Sequence, residues 1–296
     1  MTLSAANSSP AHHGAPAPGA IILAAGMGKR MKSDLPKVLH PVGGRPMVCA
    51  VVEACREAGC GRIVLVVGYK QELVRDALSG SEWTARGDIE FAVQPEQLGT
   101  GHAVRCAEPL FSREKAAPGN ELFVLAGDGP LIRAQTLRTM LERHRAAKAL
   151  ATLATSVIAD PTGYGRIHRD ARGNFLAIVE HKDCSPDQLA IREVNPSYYC
   201  FDAKALFAAL AEVKRNPQSG EYYITDVPGL LLSTGGRVEV IPAVPPEDIL
   251  SINTLEQLAE VDGIYRGRHA ATTLAAGGRS SPGSGTARIS NQGGRP

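Results

Sequence analysis

Between residues 20 and 155, five short apolar runs alternate with stretches of helical spacing. That alternation constrains the fold more than any other property of the chain. The runs 20–25, 62–67, 89–93, 122–126 and 149–155 are short and mostly rich in Val, Ile and Leu, so they read as buried strands. The spacing between them predicts helices over 46–58, 71–78, 101–107 and 134–147, with Pro46 suited to a first helical turn. Strands alternating with helices imply βαβ units, hence an α/β fold with a largely parallel central sheet. Farther along the pattern is less regular. Strands are expected at 164–168, 175–180 and 193–201, and helices at 203–213, 225–232 and 255–265.

Composition bounds what this fold can be used for. The 44% hydrophobic and 21% charged content is that of an ordinary globular protein. The longest unbroken run of Ile, Leu and Val is 63–67, far below the ~20 apolar residues of a membrane span. Residues 1–18 carry no charged side chain. Residues 267–296 carry Arg268, Arg279, Arg288 and Arg295 and no acid. Removing those four from the 32 basic residues leaves 28 against 30 acidic, a net of −2 for residues 19–266. A slightly acidic body argues against a nucleic-acid partner, which requires a basic face. The expected organisation is a disordered tail at 1–18, one folded domain at 19–268 and a disordered Gly/Ser/Arg tail at 269–296, because neither end has the apolar residues to offset its ordering entropy. Six cysteines form no CxxC pair, and no basic n-region precedes an apolar run at the N-terminus. Reduced, mostly buried thiols in a cytoplasmic protein are therefore expected.

Chemistry concentrates in the loops after the strands. The first is Leu23-Ala24-Ala25-Gly26-Met27-Gly28-Lys29-Arg30-Met31, continuing to Pro36-Lys37. Its glycines allow close backbone approach, and successive exposed N–H groups can cradle phosphate. Arg30 and Lys37 bring positive charge for a polyphosphate. The third glycine of a dinucleotide fingerprint and the GK[ST] of a Walker A loop are both missing. Gln94 to Ala103 links a strand to a helix, with Thr100 an N-cap candidate and His102 a packing residue. The 122–126 strand delivers Asp128 just beyond its carboxyl end, where open α/β sheets bind ligands, and one hard carboxylate suits Mg²⁺. Asn253 lies in Leu250-Ser251-Ile252-Asn253-Thr254, ahead of a helix.

The run from Leu23 to Lys37 resembles the signature of the sugar-nucleotide pyrophosphorylases, within the nucleotidyltransferase superfamily, which implies an α/β fold of Rossmann-like type with a mixed, mostly parallel central sheet. Residues 20–266 are similar to their bacterial uridylyltransferases acting on N-acetylglucosamine 1-phosphate. The resemblance implies that Leu23, Ala24, Ala25, Gly26, Gln94, Gly99 and Thr100 bind the nucleotide, the last three at the uracil. It implies that Asp128 and Asn253 hold Mg²⁺, and that Gly165, Glu180, Asn195, Tyr223 and Thr225 hold the N-acetylhexosamine. The chain departs from the family at Asn195-Pro196-Ser197, where Asn-Thr/Ser-Gly is usual, and a proline removes an N–H there.

The implied substrates are UTP and a sugar 1-phosphate, with no membrane partner. The phosphate oxygen of the sugar attacks the α-phosphorus in line, Arg30 and Lys37 stabilise the departing pyrophosphate, and no covalent intermediate is needed. The bifunctional bacterial relatives add hexapeptide repeats with acetyltransferase activity. No such repeat is present here, so that second reaction is not expected. The alternatives are the same chemistry with dTTP or another hexose 1-phosphate, or a non-catalytic protein that binds sugar nucleotide.

Overall fold

The computed structural model describes residues 15–277. In chain order its strands are β1 (Gly19–Ala24), β2 (Pro41–Val42), β3 (Arg45–Pro46), β4 (Arg62–Val67), β5 (Ile89–Val93), β6 (Glu121–Ala126), β7 (Ala151–Val157), β8 (Gly165–Arg169), β9 (Phe175–Val179), β10 (Glu193–Asp202) and β11 (Val238–Ile241). The α-helices are α1 (Met47–Glu57), α2 (Gln71–Ala77), α3 (Ser81–Thr84), α4 (Thr100–Ala107), α5 (Ala134–Ala147), α6 (Pro186–Leu189), α7 (Ala203–Glu212), α8 (Asp226–Ser233) and α9 (Leu255–Gly277).

The main sheet runs β11-β7-β10-β6-β1-β4-β5, with β8 and β9 attached through β10. Four of its six neighbouring pairs are parallel (β11–β7, β6–β1, β1–β4, β4–β5), and β10 runs antiparallel to both β6 and β7. Successive side chains of a strand face opposite sides, so consecutive Ile21 and Ile22 feed two separate cores. On one side Ile22, Leu65 and Phe123 pack with Val48, Val52 and Met140 of α1 and α5. On the other, Ile21, Val64 and Val124 pack with Val104, Leu206 and Val227 of α4, α7 and α8. Burial on both faces explains why these strands read as continuous apolar runs.

The chain leaves β1 for β4 and β5 on one side, then crosses to β6 on the other. The crevice between β1 and β6 is therefore the switch point where such sheets bind ligands. There the Gly127 N–H donates to the Leu23 carbonyl at 3.0 Å.

Several elements differ from expectation. The strand expected at 149–155 is Ala151–Val157, and α4 begins at Thr100 rather than 101. β11, the short α3 and α6, and the β2–β3 hairpin are additional. The last helix does not stop near 265. It continues to Gly277, nine residues into the stretch expected to be a tail. A third small core explains its seating: Val261 and Tyr265 of α9 pack with Val42, Met47 and Ile252. The rest of the two expected tails, 1–14 and 278–296, lies outside the described residues. All six cysteines are unpaired thiols, and four of them are buried. Among the described residues no helix is long and apolar enough to cross a membrane.

Candidate active site

Two adjoining hollows of about 410 and about 450 Å³ open along the carboxyl edge of the parallel strands. They share Lys37, Ala126, Asp128, Glu180 and Ser197, so they form one cleft with a waist at those residues.

One half is walled by Leu23, Ala25, Gly26, Gln94, Gly99 and Thr100, together with Tyr223. Ala24 is different: its side chain joins the core under α1, and only its backbone can serve a ligand. The buried Gln94 amide donates to the Gly99 carbonyl at 3.0 Å, and its Nε2 lies 3.2 Å from His102 Nδ1. Two N–H groups are thereby engaged. Its Oε1 receives no hydrogen bond from the described residues and is the group left for a ligand. His102 thus fixes the amide.

Thr100 is not the N-cap. Gly99 holds that place with φ +95°, and a Cβ there would lie 2.6 Å from the Tyr222 carbonyl. The close approach arises because the 98–101 backbone pairs with the 222 region: Tyr222 N–H to Leu98 O and Gly101 N–H to Tyr222 O, both 2.8 Å. The Thr100 hydroxyl instead accepts from the Ile224 N–H at 3.0 Å.

At the waist, the loop after β1 and the loop after β6 meet the segment before α9. Lys37 Nζ donates to Asp128 Oδ2, and to Asn253 Oδ1 at 2.7 Å. Arg30 donates to the same Asn253 oxygen at 2.7 Å. Gly28 at φ +70° lets the loop fold onto Lys37, whose Cβ would stand 2.8 Å from any Cβ at position 28. Asn253 is held in turn by Ser251 Oγ at 3.2 Å and, through its N–H, by Gln257 Oε1 at 2.8 Å. Two oxygen donors from remote segments therefore converge on one cation, here an ammonium.

The other half is walled by Gly165, Glu180 and Asn195, with Tyr164. Burial pushes the Glu180 carboxyl above its ordinary value, against the Thr225 hydroxyl, which donates to Oε1 at 3.0 Å, and the Lys182 charge. Thr225 occupies the first position before α8 but caps nothing with its side chain; it acts on the cleft through Glu180. Tyr223 stands on the opposite half from Gly165 and Asn195, with its hydroxyl 2.6 Å from Ser219 Oγ and Lys182 5.1 Å over its ring. Asn195 is largely committed to the protein: Nδ2 donates to the buried Tyr199 hydroxyl at 2.6 Å, and Oδ1 accepts from Ser197 N–H at 3.1 Å. One donor and one lone pair of its amide remain. The Asn195-Pro196-Ser197 departure is a bulge in β10 opposite β7, with Ser197 at φ +64°. Ser197 and Lys182 line the cleft and were not singled out from the sequence. Nothing in local spacing marks a bulge, and a lysine at a charged strand end looks like any solvated one.

The nucleotidyl transferase family model matches residues 19–242. Over 249 residues the chain is 45% identical to the bifunctional protein GlmU of Shouchella clausii and to that of Brevibacillus brevis. It is 43% identical to that of Clostridium acetobutylicum over the same length. Each alignment covers 84% of this chain and 52% of the relative, so the chain spans about half the length of the curated relatives it matches. A UDP-glucose pyrophosphorylase solved with UDP-glucose superposes with TM-score 0.68 at 20% identity, covering 86% of this chain and all of the other. A protein described as a glucose-1-phosphate thymidylyltransferase from Bacillus anthracis gives 0.68 at 21%, covering 84% and 96%. At those identities the two share the fold.

Proposed function

This chain belongs to the nucleotidyl transferase family, and on that premise we propose that residues 19–268 transfer the uridylyl group of UTP to N-acetylglucosamine 1-phosphate. The observation that carries the reading is the waist, where Arg30, Lys37, Asp128 and Asn253 meet between two hollows of substrate size. The identity of more than 40% to bifunctional GlmU proteins across this region supports the choice of uridylyl donor and acetamido sugar.

UTP lies along the loop after β1 with its base in the half walled by Gln94 and Gly99. The free Gln94 Oε1 accepts from the ring N3–H of a uracil. Cytosine has an acceptor at that position and is disfavoured. The sugar occupies the half walled by Gly165, Glu180 and Asn195, where the carboxylate accepts from hydroxyls. An already ionised phosphate oxygen of the sugar forms a bond to the α-phosphorus. The bond from that phosphorus to the bridging oxygen breaks, and pyrophosphate leaves with the electron pair. Arg30 and Lys37 hold the phosphates in line and neutralise the leaving charge, so positioning and charge do the catalysis. No proton transfer to or from the chain is required.

The donor set fits magnesium. Asp128 and Asn253 present hard oxygens already directed at one cation, as Lys37 demonstrates. They would hold the ion, which when bound neutralises phosphate charge. With these substrates the reaction is cytoplasmic. A panel of UTP, dTTP and CTP against N-acetylglucosamine, glucose and galactose 1-phosphates, read by pyrophosphate release, tests the reading. UTP with N-acetylglucosamine 1-phosphate should give the highest kcat/KM. A higher value for another pair overturns the substrate assignment, and no turnover with any pair overturns the enzyme.

A further inference from the structure

Asn253 and Asp128 come from segments far apart in sequence, so something must hold the two segments in register. The structure places a buried ionic clasp directly behind them. Asp248, five residues before Asn253, has a side chain only 1% exposed. Arg133, five residues after Asp128, reaches it with Nε 2.5 Å from Oδ2 and with a second nitrogen 3.0 Å from Oδ1. Arg268 of α9 donates to the same carboxylate, and also to the Leu131 carbonyl at 3.2 Å. On the cleft side the Tyr198 hydroxyl donates to the Asp248 carbonyl at 3.0 Å. The Ile252 N–H meets the Asp128 carbonyl at 3.4 Å.

A carboxylate taken out of water is costly, and two guanidiniums are needed to hold it. The clasp joins the segment that carries Asn253 to the one that carries Asp128. We infer that Asp248, with Arg133 and Arg268, is a positioning device that sets the spacing between Asp128 and Asn253 and so tunes their affinity for a divalent cation. This rests on the reading of Asp128 and Asn253 as magnesium ligands. Partners that orient ligands from behind commonly change metal affinity about 10–100-fold when removed. The clasp also ties α9 to the cleft, so the last helix becomes part of the site's support.

The test is UTP binding to the full chain by calorimetry, with and without saturating MgCl₂, in wild type, Asp248→Asn and Arg133→Gln. Arg133 is 46% exposed and Arg268 still faces Asp248 in its variant, so a second, independent perturbation of the clasp keeps the test open if Asp248→Asn fails to fold. In wild type Mg²⁺ tightens UTP binding. In the variants that gain shrinks by about tenfold, while affinity without metal stays within twofold. Three results overturn the inference. A full gain with only a lower melting temperature makes the clasp a stability element. An equal loss with and without metal makes it a support for the whole cleft. No gain in wild type removes the metal reading itself, and this inference with it.

Discussion

Replacing Lys37 by Met keeps the length of the side chain and removes its charge, which separates what the ammonium does for the fold from what it does for the reaction. Lys37 Nζ bridges Asp128 and Asn253, and Arg30 shares the Asn253 oxygen. The Lys37 and Asp128 side chains are 15% and 21% exposed, so water reaches the pair. Fully exposed pairs contribute about 0.2–1 kcal/mol, and breaking a fully buried one costs about 3–5. With solvent screening this pair belongs near the lower range, about 1 kcal/mol. For a domain of this size that lowers the melting temperature by about 2–4 °C. Catalysis stands on another scale. In the proposed reaction the departing pyrophosphate gathers charge beside Nζ. Loss of one preorganised donor there costs about 10²–10³ in kcat, or about 2.7–4 kcal/mol. Calorimetry and pyrophosphate release on one preparation give both numbers. The expected pattern is a fold nearly intact and a turnover lower by at least a hundredfold. A kcat within tenfold of wild type would refute the role assigned to Lys37. A loss of turnover accompanied by a drop of 10 °C or more would show that the lysine serves the fold instead.

Gly99→Ala should destabilise by about 2–4 kcal/mol, combining a side chain at φ +95° with the displacement of Tyr222 and loss of at least one backbone hydrogen bond. Urea unfolding reads it directly, and the KM for UTP should rise while the KM for the sugar phosphate holds; an unchanged midpoint would mean that the loop yields freely. Glu180→Gln should do opposite things to stability and function. Because burial raises the Glu180 carboxyl, the folded state holds its proton more tightly than the unfolded chain. Wild-type stability from this group is therefore complete at low pH and is lost as pH rises through the folded value. The variant should melt higher than wild type near pH 7, with the gap closing toward pH 4, and its kcat/KM for the sugar phosphate should fall by about 10-fold or more as a charged acceptor is removed. A gap that does not depend on pH would contradict the burial account.

What the sequence made legible follows one physical rule. A role set by position along a local period can be read from that period. The strands β1, β4, β5 and β6 carry apolar residues on both faces because helices cover both, and their carboxyl ends place Gly26 and Asp128 on one edge. β11 escaped notice because only Ile241 of its four residues is buried. The extent of α9 escaped because contacts past 265, such as Arg268 on Asp248 and on the Leu131 carbonyl, are made to remote segments, and Gly263 and Gly267 weaken the local helical signal. The same division runs through the cleft. Lys37 and Asp128 were legible as residues with suitable chemistry, and Asn253 through the family resemblance, yet their convergence depends on backbone contacts that no spacing records. Thr100 shows this most sharply. A threonine opening a helix reads as a cap, but Gly99 at positive φ takes that position, and it is a glycine because the Tyr222 carbonyl leaves no room for a Cβ. Its hydroxyl is then free to bind the 224 backbone and fasten one cleft wall to the other. Where remote segments meet, the identity of a residue reports its chemistry, and only the partner it meets decides whether that chemistry caps, fastens or catalyses.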